Sequence, residues 1–410
     1  MDANDFITED LCLLPSLRIA LVTETYPPEV NGVAMTLGRM VEGLLARGHR
    51  VQLIRPRQTT RDQAAQGQGF EEILAWGLQI PRYEGLRFGL PARHALIRQW
   101  SRQRPDLVHV ATEGPLGWSA VSAASKLRLP VTSDFHTNFD HYSSHYGVGW
   151  LRQPVAAYLR RFHNRTERTF VPTEPMAESL RKQGYQRVEV IARGVDCALF
   201  NPARRSPALR ASWGLAPGDL AVVSVGRVAP EKNLPLTLAA FAGIRQVRPD
   251  ARLVMIGDGP LRTQLAQRHP EHIYAGMRTG EDLAAHYASA DLFLFPSLTE
   301  TYGNVTLEAM ASGLGVVAYD CAAAAEVVKA EVEGLKAPPG DEAGFIRAAV
   351  ELARDDALRA RLALAARARA ETLDWDRIHD RFAAALAETA ARPARPARAP
   401  LLGQPRSQEA

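Results

Sequence analysis

The chain has 410 residues, 46% of them hydrophobic and 23% charged, with a formal net charge of +4. It is too long for one ordinary core, since single cores stop growing at about 250 residues, and the length suits two domains. The composition excludes a disordered or collagen-like chain, and no apolar run reaches the roughly 20 residues of a spanning helix. The widely separated Cys12, Cys197 and Cys321 exclude a disulfide scaffold and a paired zinc set, and read as buried thiols.

In chain order, residues 1–17 read as an acidic leader without the basic start and apolar stretch of a secretory signal, which predicts a cytoplasmic chain. "RIALVTETYPP" from Arg18 predicts a buried strand. The next stretch carries Leu37, Val41, Leu44 and Leu45 at helical spacing and stops at Gly48, after which "RVQLIRP" predicts a second strand and a β-α-β unit. Between Arg82 and Arg104 the basic residues Arg82, Arg87, Arg93, Arg98, Arg102 and Arg104 are opposed only by Glu84 and interleaved with Leu90, Leu96, Ile97 and Trp100. The segment reads in two ways. It is either a basic amphipathic surface held on an anionic membrane by arginine attraction and insertion of Trp100 with its apolar neighbours, or a solvated helix face.

"DLVHVAT", "PVTSDFH" and "ERTFVPT" predict further strands, making residues 18–190 one doubly wound domain. "LAVVSVGR", "RLVMIGDGP", "HIYAGM", "DLFLFPS" and "GVVAYD" open a second series, and residues 191–372 form a second such domain facing the first across a cleft. Residues 373–390 predict a terminal helix packing back on the N-terminal domain, and the Pro-, Ala- and Arg-rich stretch 391–410 a disordered tail.

The sharpest chemical signal is "SLTETYGNVTLEAMASGLGVV", where Glu300 and Glu308 flank a glycine turn that opens a helix near Asn304. Backbone amides of Gly303, Asn304, Val305 and Thr306 would point at one place, and free amides at a helix start bind phosphate. Carboxylates accept hydrogen bonds from sugar and ribose hydroxyls, so this pattern describes a nucleotide-sugar site more closely than a bare nucleotide or metal site. In "VSVGRVAPEKNLPLTLAAF", Arg227 and Lys232 sit on the loop after a strand. There, two cations can neutralise a departing nucleoside diphosphate without a metal, unless they are plain surface cations.

His136 follows another strand and reads either as a site residue or as a hydrogen-bonded core histidine. His136, His141 and His145 lack zinc spacing. Asp374 and Asp376 read as helix caps. No G-x-G-x-x-G follows the first strand of either domain, which argues against hydride transfer from a dinucleotide.

These segments, with "TYPPEVNGVA" and "DFHTNF", resemble the retaining glycosyltransferases of family 4, of GT-B architecture, over nearly all of residues 18–390. The resemblance implies an α/β fold of two doubly wound, Rossmann-like domains. By it, Glu308 binds ribose hydroxyls, Glu300 a donor-sugar hydroxyl, and Arg227 with Lys232 the diphosphate. Gly32 brings its backbone to the phosphates from the other domain, His136 lies near the transferred sugar and the acceptor, and Met277 lies where the base meets backbone groups. Arg193 and Asp196, in "ARGVD", fall on the interdomain segment, where the resemblance implies a contact with the donor.

The implied catalytic set is therefore His136, Glu300, Arg227 and Lys232. Family members work by front-face substitution, in which the leaving phosphate takes the acceptor proton. No protein nucleophile, metal or other cofactor is then expected. "TYPPEVNGVA" and "FHTNF" are also similar to members that glycosylate membrane lipids, including GDP-mannose-dependent, diacylglycerol and sulfoquinovosyl transferases. A GDP- or UDP-hexose donor and a membrane glycolipid acceptor are thus expected, with peripheral contact at the inner face of the plasma membrane and no nucleic-acid partner. A soluble or polysaccharide acceptor is the alternative, followed by a sugar-nucleotide epimerase or a binding module.

Overall fold

The computed structural model describes residues 16–29, 31–59, 61–79, 87–136, 152–298 and 302–392. Two separate sheets organise the chain. The first contains β1 (Arg18–Val22), β2 (Arg50–Pro56), β3 (Gln66–Gly67), β4 (Phe70–Ala75), β7 (Leu107–Val110), β8 (Val131–Asp134), β9 (Arg168–Val171) and β10 (Val188–Val190), in the order β10-β9-β8-β7-β1-β2-β4-β3. All its neighbours run parallel except β3 and β4. Between β4 and β7 the short strands β5 (Gly77–Gln79) and β6 (Arg87–Gly89) pair antiparallel as a hairpin.

The second sheet orders β11 (Ala221–Val225), β12 (Arg252–Ile256), β13 (Ile273–Gly276), β14 (Leu292–Phe295), β15 (Gly315–Tyr319) and β16 (Leu335–Ala337) as β13-β12-β11-β14-β15-β16, with parallel pairings throughout. Its strands are near-continuous apolar runs because helices cover both faces, which gives separate cores on either side of one sheet.

In each sheet the strand order reverses once, between β1 and β7 in the first and between β11 and β14 in the second. Loops leaving the carboxyl ends of two such neighbours part in opposite directions and leave a crevice where ligands of open α/β sheets bind.

Helix α1 (Gly32–Ala46) follows β1 and starts at Asn31, whose side-chain oxygen accepts from the amides of Val33 at 3.1 Å and Ala34 at 2.9 Å. Its apolar stripe joins Ile19, Leu21 and Phe170 in a core completed by Ile378, Phe382 and Leu386 of the Trp375–Ala390 helix. The end of the chain therefore finishes the first domain's core. Asp374 caps that helix, accepting from the Asp376 amide at 3.1 Å. Val195 is tied to the same turn through its amide and the Leu373 carbonyl, 3.1 Å apart.

The basic segment folds differently from one amphipathic surface. Only 87–104 of it is described, and β6 opens that part before helix α2 (Arg93–Arg102) begins. Trp100 is fully buried and Leu96 nearly so. The Trp100 indole donates to Gln52 Oε1 at 3.1 Å, which satisfies its N–H inside the core. Insertion of Trp100 into a membrane is therefore excluded, and the outward face of α2 carries Arg93, Arg98 and Arg102. Cys197 and Cys321 are half-buried, not buried, thiols, and Cys12 lies outside the described residues.

Candidate active site

The second switch point gathers most of the candidate donor residues. Arg227 and Lys232 leave β11 on a loop that ends in a short 3-10 turn over Pro230–Lys232. The Arg227 guanidinium donates to Glu231 Oε1 at 3.2 Å, and Glu231 is buried, so this carboxylate braces the arginine. The Lys232 ammonium lies 5.7 Å from the ring centre of Phe295, the last residue of β14, and the Asn233 amide donates to the Pro296 carbonyl at 3.4 Å. These contacts hold the β11 and β14 loops together at the crevice.

On the β14 side, Gly303 precedes the Asn304–Ala311 helix with φ of 88°, a left-handed conformation that glycine adopts without a side-chain clash. Among the described residues no side chain caps the helix. The Thr306 amide donates to the Gly303 carbonyl at 3.0 Å and its side chain is buried. Glu308, one turn further on, accepts from the Tyr287 hydroxyl at 2.9 Å. Burial pushes its carboxyl up to about 7 although the tyrosine hydroxyl pulls the other way. Met277 follows Gly276 at the carboxyl end of the outermost strand, β13, and is 52% exposed, its thioether free to meet a ligand. Glu300, His141 and His145 lie outside the described residues.

Facing residues come from the first sheet. Gly32 begins α1 after β1, and a Cβ built there would meet nothing within 4 Å. The fold itself does not require glycine at this position.

His136 is buried just past β8. Its Nδ1 accepts from the Arg193 guanidinium at 2.8 Å, so Nε2 carries the proton and donates to Asp134 Oδ2 at 3.1 Å. His109 Nε2 stands 3.2 Å from the same oxygen. Burial disfavours the Asp134 carboxylate, but His109 and His136 outweigh it and hold the carboxyl well below its usual range. Burial pushes the imidazole of His136 down against the pull of Asp134, so it is neutral near pH 7.

Arg193 is buried, and its carbonyl accepts from the Tyr302 hydroxyl at 3.2 Å. Asp134, His136, Arg193 and Tyr302 therefore form a continuous polar chain from the first sheet to the residue before Gly303. Asp196, by contrast, accepts from the Ala198 and Leu199 amides and from Arg39 of α1 at 2.8 Å, which makes it a turn cap and an interdomain tie.

Sequence reading missed Asp134, Glu231, Tyr287 and Tyr302. It also missed Glu24, which fills the first switch point. The Glu24 amide donates to Thr112 Oγ1 at 2.9 Å, and its carboxyl accepts from the Leu116 amide at 3.2 Å. Burial pushes that carboxyl up to about 7, the backbone amides of Leu116 and Gly89 oppose the rise, and Glu113 adds to it. The available signal was its place two residues past β1, beside the crevice that strand order alone predicts. Among the described residues one trio could hold a metal ion, His269, Glu271 and His272. It precedes β13 and so lies at the opposite edge of the sheet from the crevice.

The model of Glycosyltransferase Family 4 matches residues 30–199, and that of Glycosyl transferases group 1 matches residues 219–355. A GDP-mannose-dependent alpha-mannosyltransferase of Corynebacterium glutamicum is 32% identical over 90% of this chain and 86% of its own length. The chain belongs to glycosyltransferase family 4. An enzyme of the same name from Mycobacterium tuberculosis is 33% identical over 89% of this chain and 94% of its own length. Alpha-monoglucosyldiacylglycerol synthase of Streptococcus pneumoniae is 28% identical over 74% of this chain and 71% of its own. The fold of sucrose-phosphate synthase from Thermosynechococcus elongatus superposes with a TM-score of 0.74 at 20% identity, covering 91% of this chain and 98% of that one. This family 4 member is a glycosyltransferase of GT-B architecture, with two Rossmann-like domains and one switch-point crevice in each.

Proposed function

We propose that this family 4 glycosyltransferase moves a hexose, mannose or a glucose-type sugar, from a GDP- or UDP-sugar to a hydroxyl of a membrane glycolipid, with retention of anomeric configuration. The reading rests above all on one observation: the Arg227–Lys232 loop follows β11 and the helix that opens after Gly303 follows β14, the two strands that flank the switch point, and Lys232 lies over Phe295 at the end of β14. A diphosphate there gains two cations and a helix amino end, and Glu308 offers acceptor oxygens to ribose hydroxyls. Glu300 orients a donor-sugar hydroxyl, Met277 borders the base, and Gly32 lets the facing backbone approach the phosphates.

The leaving diphosphate oxygen takes the acceptor proton, and Arg227 with Lys232 stabilises its growing charge. In this role His136 positions the sugar. Both of its ring nitrogens are engaged by Arg193 and Asp134, which suits orientation better than proton abstraction.

The mannosyltransferase and glucosyldiacylglycerol synthase relatives support a hexose donor and a lipid acceptor. The exposed Arg93, Arg98 and Arg102, with no acidic residue between Arg87 and Arg104, support contact with an anionic leaflet at the cytoplasmic side. None of these roles calls for a metal ion. The test is a thermal-shift panel of UDP-, GDP- and ADP-sugars with and without EDTA. A GDP- or UDP-sugar should raise the melting temperature by several degrees in both conditions, since ligand at about 100 times its Kd stabilises by about 2.7 kcal/mol. A shift abolished by EDTA, or none from any sugar nucleotide, would overturn the donor assignment.

A further inference from the structure

Among the described residues, the most exposed large apolar side chain is Trp76, at 82%, and Leu78 on the same strand face is 53% exposed. Their neighbours explain why both point outward. In the β5–β6 hairpin Gly77 pairs with Gly89 and Leu78 with Phe88, while the Leu90 amide donates to the Trp76 carbonyl at 2.8 Å. Alternation along a strand therefore sorts the hairpin into two faces.

One face holds Gly77 and Gly89. A Cβ at Gly77 would lie 2.7 Å from Pro56 Cβ, and one at Gly89 2.5 Å from Leu116 Cβ, so this face is pressed against the body of the domain. Arg87, on the same face, donates to the Arg57 carbonyl at 3.1 Å. Among the described residues the opposite face carries Trp76, Leu78, Phe88 and Leu90, four apolar side chains with nothing polar among them. Leu90 leads within three residues to Arg93 and the exposed arginine face of α2.

We propose that this hairpin face is the membrane anchor of the enzyme, entering the headgroup region of an anionic bilayer while the arginines of α2 bind lipid phosphates. Exposed aromatic and aliphatic groups beside uncompensated positive charge match the two layers of a leaflet surface, apolar below and anionic above. The hairpin follows β4 at the carboxyl edge of the first sheet. Its Gly89 packs on Leu116, whose amide binds Glu24 in the first switch point, so the hairpin adjoins that crevice. The proposal rests on the lipid-acceptor reading, and it assigns to the hairpin the insertion that buried Trp100 cannot perform.

The test is flotation of the full chain with phosphatidylglycerol–phosphatidylcholine vesicles, comparing wild type with a Trp76→Ala, Leu78→Ser double variant. Both side chains are exposed, so the melting temperature and the sugar-nucleotide shift should be unchanged. Flotation should fall about tenfold. Quenching of tryptophan fluorescence by brominated lipid should be present in wild type and largely lost in Trp76→Phe.

Equal flotation of the double variant would overturn the proposal. It would also be overturned if the variant changed only the sedimentation of a dimer to that of a monomer, since the face would then bind a second copy. A donor shift without hairpin-dependent flotation removes the anchor alone. Hairpin-dependent flotation without any donor shift removes the function proposed above and leaves the anchor.

Discussion

At the residue scale, two buried carboxyls set the pH behaviour. Glu308 is raised to about 7 in the free enzyme, whereas accepting hydrogen bonds from ribose hydroxyls favours its ionised form. Donor binding should therefore release a proton below pH 7. The affinity for a sugar nucleotide, whose own diphosphate does not titrate in this range, should rise about tenfold per unit as pH rises from 5.5 to 7 and level off above that. Calorimetric titration should find this slope in wild type and a flat profile in Glu308→Gln. A flat profile in wild type would contradict the assigned role.

Glu24 is raised from 4.5 to about 7, so between those values the folded protein holds a proton that the unfolded chain has lost. Stability from this group consequently falls as pH rises through that window, by a total of about 3 kcal/mol. Glu24→Gln should melt higher than wild type at pH 8 and alike at pH 5; the opposite ordering would mean that the charged carboxylate is stabilising. Gly32→Ala should leave the melting temperature nearly unchanged, because a Cβ there meets nothing, yet weaken donor binding. Unaltered binding in a calorimetric titration would remove Gly32 from the site.

At the element scale, the parallel strands were legible because burial on both faces makes them unbroken apolar runs, as in "LFLF" of β14 and "AVVSV" of β11. The helix start near Asn304 was legible from its glycine. The β5–β6 hairpin was not. Its strands have 3 residues each, and its glycines serve packing against Pro56 and Leu116, a tertiary fact with no local periodicity. Trp100 misled for a related reason: a helix between basic residues shows the same alternation whether its apolar stripe meets lipid or its own core, and Gln52 on β2 decides the matter.

The docking of the terminal helix depends on a close approach that sequence does not announce. A Cβ at Gly43 of α1 would lie 2.2 Å from the His379 ring, which itself stacks on Trp375. Gly43→Val should therefore destabilise the protein by about 1–3 kcal/mol in chemical denaturation. No loss would mean that the helix pair can shift apart freely.

At the scale of the whole molecule, polar contacts among the described residues join the two halves beside the candidate site. Arg39 of α1 reaches Asp196 at 2.8 Å, and the Arg193 guanidinium reaches His136 Nδ1 at 2.8 Å. Through Arg193, whose carbonyl accepts from the Tyr302 hydroxyl at 3.2 Å, that second contact ties His136 to the residue before Gly303, so a shift of one domain is felt at the other's candidate residues. Strand order supplies the frame, with one crevice at β1 and β7 and one at β11 and β14.

Motif reading picked out these two loops because Arg227 with Lys232, and Glu300 with Glu308, each stand close together in sequence. It missed Tyr302, whose partner Arg193 is far away in the chain, and Asp134, whose second histidine, His109, comes from the neighbouring strand β7. Transfer of labelled hexose from GDP-mannose or UDP-glucose into a lipid-extractable product, in the presence of EDTA, tests the account most directly. Wild type should form a glycolipid with the donor's anomeric configuration, and Lys232→Ala should lose about 10²- to 10³-fold in rate while remaining folded. Tight donor binding with label appearing only as free sugar, or full activity in Lys232→Ala, would contradict it.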